Sequence, residues 1–258
     1  LNYDATEKIA AGYGMAKYTF GKWELIAGVR VEHTDQGYLL KYPVGDVKAE
    51  SGQKYTDVLP SFHAKYGIHK NANMRFSYAR AINRPSFFEI VPYKILNEDF
   101  SEKGNPDLKH TVADNLDEFF PKSSEQFMVG VFYKYLQDPI EQGLVAQGQD
   151  LYFIPMNFGD ASNLGVEIDV MKYFNWFGVK ANYTYTHSKI TTDKRTMEGS
   201  DVIVVTQTRP LYGQAAHVAN LSLLFKSTKL GWEGQIAGSY TGKRLSEVSN
   251  YLDDDIWE

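Results

Sequence analysis

The stretch Trp23–Thr34, WELIAGVRVEHT, poses the question of the fold because its side chains alternate in character. Odd-numbered positions carry Trp, Leu, Ala, Val, Val and His, whereas even-numbered positions carry Glu, Ile, Gly, Arg, Glu and Thr. A period of two predicts a β-strand with one apolar and one polar face. In a soluble sandwich the apolar face would form the core, whereas in a membrane barrel it would contact lipid. This stretch alone leaves both interpretations open.

The same alternation recurs along the chain and predicts about ten strands, so the fold class is all-β. The clearest further examples are YTDVLPSFHAKYGI (55–68), QFMVGVFYKY (126–135), NLGVEIDVMKY (163–173), FGVKANYTYTH (177–187) and LGWEGQIAGSYTG (230–242). The stretch Thr111–Phe120, TVADNLDEFF, is weaker because its acidic residues fall on both parities, which leaves its register open. No segment shows a helical period.

Composition excludes several classes of protein. The chain has 258 residues, a net charge of −5 and no cysteine, which argues against nucleic-acid binding and excludes disulfides and thiolate chemistry. No apolar run approaches the roughly 18 residues of a spanning helix. Aromatic residues make up 14% of the chain, a high share that strands and membrane interfaces both favour. The first residues, LNYDATEK, include neither an initiator methionine nor a signal peptide, so we expect a processed product or an excised piece.

The predicted connections between strands alternate between short and long. Short ones lie at Gly21–Lys22, His69–Asn73, Pro121–Glu125, Phe174–Trp176 and Ser227–Lys229. Long ones lie at Asp35–Lys54, Arg84–His110, Gln137–Ser162 and Ser188–Gly213, and we expect them to be loops. This alternation is typical of an up-and-down transmembrane β-barrel with short periplasmic turns and long extracellular loops.

Aromatic residues and charges agree with the barrel. Bulky rings flank the short turns, as in Phe20, Trp23 and Trp232, and would form a girdle at one membrane interface. In the barrel Arg30 must point inward, because an arginine at the lipid midplane costs roughly 2–4 kcal/mol. Arg80 shares its parity with apolar residues, so it must lie near the upper interface or be turned by a bulge.

Several stretches resemble the TonB-dependent outer-membrane receptors, above all those of Bacteroidetes-type bacteria. They are AAGYGMAKYTF with GVRVEHT, YTDVLPSFHAKY, RFSYARAINRPSF, GNPDLK, PKSSEQFMVGVFYKYLQDPIE, NFGDASNLGVEID and SYTGKR. They follow the family's order and cover nearly the whole chain.

The resemblance implies that residues 1–258 form about ten strands, the C-terminal half, of a barrel of about 22 strands in the bacterial outer membrane. It also implies an uptake receptor for a bulky nutrient, with a plug domain elsewhere in the same chain and TonB contacting an N-terminal region beyond this sequence. Neither the plug nor the closing strands are expected here. Outer-membrane lipid would be a further partner, and nucleic acid would not.

Candidate site residues are few. We expect Asn105–Asp107 to form a turn rather than a ligand clamp, and Asp253–Asp255 to be a solvated acidic loop rather than a Ca²⁺ site. The six histidines show no metal-ligand spacing, and neither a catalytic residue nor a cofactor site is predicted. Gly12 and Gly14 are expected to mark close backbone approach within a strand. Six aromatic residues of the long connections could stack on a ligand or pack the loops together, namely Phe87, Phe88, Tyr93, Phe100, Tyr152 and Phe153.

Two alternatives remain open. Omptin-type outer-membrane proteases have ten strands and similar loop asymmetry, and need Asp-Asp and His-Asp pairs at the extracellular rim. Here His187, the stretch His33–Asp35 and the terminal aspartates make no convincing set, so we expect no enzyme. The other alternative is a soluble β-rich binding module, in which the apolar faces would pack against a second sheet.

Overall fold

The computed structural model describes residues 3–43, 45, 47–96, 101–119, 127–147, 150–199, 201–227, 229–252 and 255–258. They form a large antiparallel sheet, here called the wall sheet, and a smaller mixed sheet, here called the loop sheet. The predicted all-β class is confirmed. The expectation of no helix is wrong by one turn, α1 at Phe87–Ile90. Within the described ranges, no helix has the length and apolarity needed to cross a membrane.

The wall sheet contains ten strands, each joined to its neighbours in antiparallel ladders. Their bounds are β1 Tyr3–Phe20, β2 Trp23–Leu40, β3 Glu50–His69, β4 Ala72–Asn83, β7 Thr111–Phe119, β8 Phe127–Gln137, β11 Ala161–Phe174, β12 Phe177–Glu198, β14 His217–Ser227 and β15 Trp232–Thr241. An eleventh strand, β13 (Asp201–Arg209), pairs with the far half of β12. Among the described strands, β1 and β15 each pair on one side, so this part of the wall is open.

The loop sheet is built from the connections between wall strands. It contains β5 Lys94–Leu96, β6 Ser101–Lys103, β9 Ile140–Gln147, β10 Asp150–Asn157, β16 Leu245–Ser249 and β17 Ile256–Trp257. Their order across the sheet is β17-β16-β9-β10-β6-β5. Two connections that were predicted to be loops, Arg84–His110 and Gln137–Ser162, therefore form one sheet together with the segment after the last predicted strand.

Cross-strand pairing assigns each wall side chain to one of two faces. Val29 lies opposite Pro60 and Ala27 opposite Phe62, on what we call the apolar face. Glu32 lies opposite Asp57 on the other side, which we call the polar face. Because side chains alternate along a strand, these pairs fix the faces of the neighbouring ladders too.

Burial answers the question raised by Trp23–Thr34. On the apolar face Val29 is 45% exposed and Leu164 is 50% exposed, whereas Glu32 on the polar face is 5% exposed. Every buried side chain of the described wall lies on the polar face: Glu32, Thr34, Gln36, Tyr38, Thr111, Phe132, Ala161, Asn163, Thr186, Ile190, Thr192, Lys194 and Arg209. The apolar faces are therefore not the core of a sandwich. Arg30 lies on the polar face, as predicted.

Strand β1 departs from this pattern. Its bulky residues Tyr13 and Met15 lie opposite Arg30 and Gly28, and so share the polar face. The small residues Gly12 and Gly14 occupy the apolar face, where an added Cβ would meet no atom within 4 Å. Bulky side chains therefore do not mark the apolar face in β1. The expected close backbone approach at Gly12 and Gly14 is wrong among the described residues.

The expectation that the four long connections are loops is wrong over much of their length. Strands β2 and β3 stay paired as far as Leu39 and Glu50, and β12 and β13 form one long hairpin above Ile190. These extensions carry polar residues on both faces, which hides the period of two. Backbone hydrogen bonds hold the ladders regardless of side-chain polarity, and the Lys54–Asp35 ion pair at 2.9 Å links one of them.

The short turns lie at one end of the wall, together with its largest rings. Gly21 has φ of +54° in the β1–β2 turn, a backbone conformation that glycine adopts readily. Trp23 packs on Tyr66 with ring centroids 4.7 Å apart, and Phe174 stacks on Phe177 at 5.0 Å. The predicted turn at Pro121–Glu125 lies outside the described residues.

Strand β7 keeps a continuous register with both neighbours, so its acidic residues lie on both faces of the wall sheet. Arg80 stays on the apolar face without a bulge, and its guanidinium donates to Asp114 across the ladder at 2.9 and 2.8 Å. The Tyr78 hydroxyl donates to the same carboxylate at 2.7 Å. Neutralisation by a cross-strand partner therefore accommodates the charge that the sequence pattern left unexplained.

Candidate functional site

The loop sheet is fastened to the polar face by buried ion pairs. Arg209 at the base of β13 donates to Glu141 of β9 at 2.8 Å, and both side chains are less than 5% exposed. Glu141 also accepts the backbone N–H of Tyr212 at 2.6 Å. Farther along the wall, buried Lys194 pairs with Asp255. A buried charge is tolerated only with such partners, so these pairs fix where the loop sheet sits.

A second set of contacts holds the connection that follows β4. Arg84 pairs with buried Glu32, which Arg30 also contacts at 2.8 Å. Next to it, the Gln36 amide donates to the Pro85 carbonyl at 2.8 Å. The polar face of β2 is thus the surface on which the segment before α1 rests.

The predicted turn at Asn105–Asp107 is confirmed and has a structural role. The Asp107 N–H donates to the Asn105 side-chain oxygen at 3.0 Å, as in an Asx-turn. The Asn105 amide reaches the Pro155 carbonyl of β10 at 3.0 Å. At Gly104 an added Cβ would lie 1.9 Å from the Val91 carbonyl oxygen, so no other residue fits there. This turn therefore fastens the α1 segment to the loop sheet.

A cavity of about 530 Å³, here called the loop cavity, lies between the α1 segment and one face of the loop sheet. Phe88, Tyr93, Phe153 and Tyr212 supply aromatic surface to it. Phe88 is 57% exposed and meets Tyr93 edge-on, with centroids 6.1 Å apart. Its size falls within the range of small-molecule sites, and exposed rings offer stacking surface.

The polar lining of the loop cavity is acidic. It consists of Glu89, Glu102, Lys103, Gln142, Ser246 and Glu247. The Glu89 carboxylate is occupied, since it accepts the N–H and hydroxyl of Ser86 at the start of α1 at 2.6 and 2.8 Å. Glu102 and Glu247 have neither an ion pair nor a hydrogen bond within the part of the chain that the structure describes. They are free to meet a ligand.

The ionisation of Tyr93, one of the lining residues, is altered by its surroundings. Burial raises the pKa of the Tyr93 phenol above its usual range, and the nearby Glu102 carboxylate adds to the shift. The phenol therefore stays neutral and keeps its O–H as a donor. Just outside the cavity, a hydrogen bond to the Tyr152 hydroxyl at 2.6 Å raises the pKa of Lys94, so that amine stays charged.

A second cavity of about 510 Å³, here called the wall cavity, lies against the polar face. Asn83 and Asn115 line it from the wall, and Glu141 and Tyr212 line it from the connections. Strand β9 separates the two cavities, because Glu141 points to the wall cavity and the adjacent Gln142 to the loop cavity. Tyr212 lines both.

Some of the aromatic residues named from the sequence line the cavity, where they could stack on a ligand, and others pack the loops together. Phe88, Tyr93 and Phe153 line the loop cavity. Phe87 packs against the buried cluster around Ile90 and Leu108, and Tyr152 is 8% exposed, so these two pack the loops together. Phe100 lies outside the described residues.

Sequence reasoning missed the polar lining, namely Glu102, Gln142, Tyr212, Ser246 and Glu247. These residues come from four different segments, three connections and the stretch after β15, so no sequence spacing relates them. The nearly continuous apolar run LYFIPMN (151–157) was an available signal that this connection contained a strand.

Other candidate residues are not brought together. His187 lies on β12, and His33 on β2 bonds Thr56 at 2.9 Å. Asp255 is not solvated as expected, because it binds buried Lys194, whereas Asp253 and Asp254 lie outside the described residues. In the described ranges, no group of three or more His, Asp or Glu residues could hold a metal ion.

Comparison with known proteins gives a consistent result. The model of the outer membrane protein beta-barrel family matches residues 1–253. A search of curated proteins gave no significant match.

Solved structures similar to this chain include the copper transporter OprC, with 15% identity over 95% of this chain and 36% of that one and a TM-score of 0.72. The siderophore receptor PiuA from Acinetobacter baumannii has 13% identity over 96% and 35%, with a TM-score of 0.70. The ferric-catecholate import receptor Fiu from E. coli K12 has 14% identity over 99% and 38%, with a TM-score of 0.67. At these identities the likeness shows the fold, and the chain spans little more than a third of each structure.

Proposed function

Because the chain belongs to the outer membrane protein beta-barrel family and is located in the outer membrane, we propose that it is part of the wall of a nutrient uptake receptor. Its long connections would capture a bulky ligand outside the cell, and the polar face would line the passage inward. The similar solved structures of a copper transporter, a siderophore receptor and a ferric-catecholate import receptor support this class of function.

The observation that carries the proposal is the pair of cavities on the two sides of β9. The loop cavity opens among the connections, and the wall cavity lies on the polar face beneath them. Tyr212 borders both, so a ligand would pass this residue on its way from capture to the interior.

The full-length protein would need further partners that lie outside these residues. A plug domain in the same chain would gate the interior, and TonB would supply energy through the N-terminal region. Lipid would cover the apolar face, which exposes Val29, Val131 and Leu164. The proposal includes no catalytic activity, since His33 bonds Thr56 at 2.9 Å and His187 lies on another strand, β12.

Thiol labelling on intact cells tests the topology. Residues 1–258 contain no cysteine, so single cysteines can be introduced into this region of a full-length protein from which any cysteine elsewhere has been replaced. A membrane-impermeant maleimide should label Tyr42→Cys in intact cells, because Tyr42 is an exposed residue between β2 and β3. It should label Lys22→Cys in the β1–β2 turn after permeabilisation alone. Equal labelling of both sites in intact cells would contradict the proposal.

Uptake tests the transport role itself. Cells with the gene intact or deleted would be supplied with a labelled ferric-catecholate siderophore, labelled copper and a labelled organic polycation. Deletion should reduce the uptake of at least one of them, and reintroduction of the gene should restore it. Unchanged uptake of all three would count against an uptake receptor of any of these classes.

A further inference from the structure

We infer that the loop cavity binds an organic cation with two separated positive groups, such as a linear polyamine. This inference rests on the proposed uptake function and specifies the ligand class. It departs from the structural neighbours, two of which are described as siderophore or ferric-catecholate receptors.

The first argument is charge. Glu102 and Glu247 line the cavity without an ion-pair partner among the described residues, and Glu89 adds a third carboxylate whose oxygen already serves Ser86. Lys103 is the single basic residue in the described lining, so the cavity carries a net charge of about −2. Such a site attracts cations and repels anions.

The second argument is spacing. Glu102 pairs with Phe153, which lies opposite Leu144 on β9, and β16 places Glu247 on the same face as Gln142. Glu102 and Glu247 are thus three strand spacings apart and offset by two residues. With about 4.8 Å per strand and 3.4 Å per residue, roughly 16 Å separates their Cα atoms. A ligand that meets both must be extended.

The third argument is the surface between the two carboxylates. Phe153 and Pro155 provide an apolar floor, and Gln142 offers an amide. Phe88 and Tyr93 stand at the side, where an ammonium group can approach a ring face. Methylene segments between two amines match this alternation of charged ends and an apolar middle.

The experiment measures spermine binding to the full-length protein by calorimetry in detergent. Spermine should bind, and putrescine, whose ammonium groups are too close together to reach both carboxylates, should bind at least tenfold more weakly. Each of Glu102→Gln and Glu247→Gln should weaken spermine binding about fivefold, since each removes one partly exposed ion pair. Raising the salt concentration should weaken binding further.

Glu198→Gln is the matched control, because it removes an exposed carboxylate at the end of β12, outside the cavity. It should leave spermine binding unchanged. Circular dichroism of every variant would verify that the barrel is folded. Lys103→Gln removes a positive charge from the cavity lining and should therefore strengthen spermine binding.

The outcomes separate this inference from the proposed function. If spermine fails to bind while labelled ferric-catecholate uptake depends on the gene, the ligand class is wrong and the receptor function stands. If spermine binds equally to wild type and to the double variant Glu102→Gln/Glu247→Gln, the site is wrong. If no probe binds and deletion changes no uptake, both are overturned.

Discussion

The two halves of strand β2 show how one strand pattern serves two environments. Near the short turn, Glu24 and Arg30 on the polar face remain partly exposed, whereas Glu32, Thr34 and Gln36 on the same face are buried. On the apolar face Val29 and Val31 in the middle of the strand are 45% and 44% exposed, and Leu39 near its far end is 49% exposed. The far half of β2 therefore differs from the near half in what covers its polar face. The cavities lie in the covered half.

The largest expected loss of stability in this covered half comes from breaking the buried Arg209–Glu141 ion pair. Glu141→Ala would leave Arg209 buried without its partner and the Tyr212 N–H without its acceptor, which costs about 3–5 kcal/mol. Hydrogen exchange of β9 and β10 amides in the full-length protein would report the loss as a lower opening free energy. Exchange in β1 and β2 should not change.

The exposed pair Lys226–Glu233, near the short-turn end, is the control for this effect. Its atoms are 3.7 Å apart and both side chains are more than 60% exposed. Glu233→Ala should cost less than about 1 kcal/mol. Equal effects of the two substitutions would mean that the loop sheet is not held by its buried charges.

The next prediction tests the lipid side through adjacent residues of β11. Ile168 lies on the apolar face and Asp169 on the polar face, six and five residues from the end of the strand. Ile168→Arg should destabilise the barrel by about 2–4 kcal/mol, whereas Asp169→Arg should cost less than about 1 kcal/mol. Urea unfolding from lipid vesicles would measure both. Similar costs would contradict the assignment of the two faces.

Much of the wall, but little of the site, follows from the sequence alone. Alternation in β2 assigns its faces correctly because the period of two is a local property of a strand. Strand β7 could not be understood locally, since Asp114 is explained by Arg80 on a neighbouring strand. In β1 side-chain size does not indicate the face, because the pairing of Tyr13 with Arg30 places the large residues on the polar face.

The site depends on contacts that sequence spacing does not encode. Glu102, Gln142 and Glu247 line the same cavity because two short ladders, each of two residue pairs, join β6 to β10 and β16 to β9. Such short parallel ladders have no pattern of their own. Aromatic residues of the long connections could be named as candidates because rings can stack on a ligand, but their division into lining and packing residues is a tertiary property.

A comparison of glycine substitutions in the covered and open parts of the wall should give a smaller change in stability. At Gly165 an added Cβ would lie 2.2 Å from the Phe132 ring and 2.4 Å from the Tyr185 carbonyl oxygen. Gly165→Ala should therefore cost about 1–3 kcal/mol. Gly12→Ala, where the Cβ would meet open space, is the control and should be close to neutral. Thermal unfolding of both variants would show whether ring-on-glycine packing matters.

Tyr93 gives the smallest effect and reports whether the loop cavity is as desolvated as its burial indicates. Burial raises its pKa in the folded protein, so folding opposes deprotonation. The resulting stability is present below the unfolded pKa of about 10 and is lost as the pH rises through the folded value. Absorbance titration of wild type and Tyr93→Phe should assign to Tyr93 a tyrosinate signal that appears late in the titration. In Glu102→Gln this signal should appear at lower pH, because one source of the shift is gone. An unchanged titration in Glu102→Gln would mean that this carboxylate does not face the phenol across the cavity.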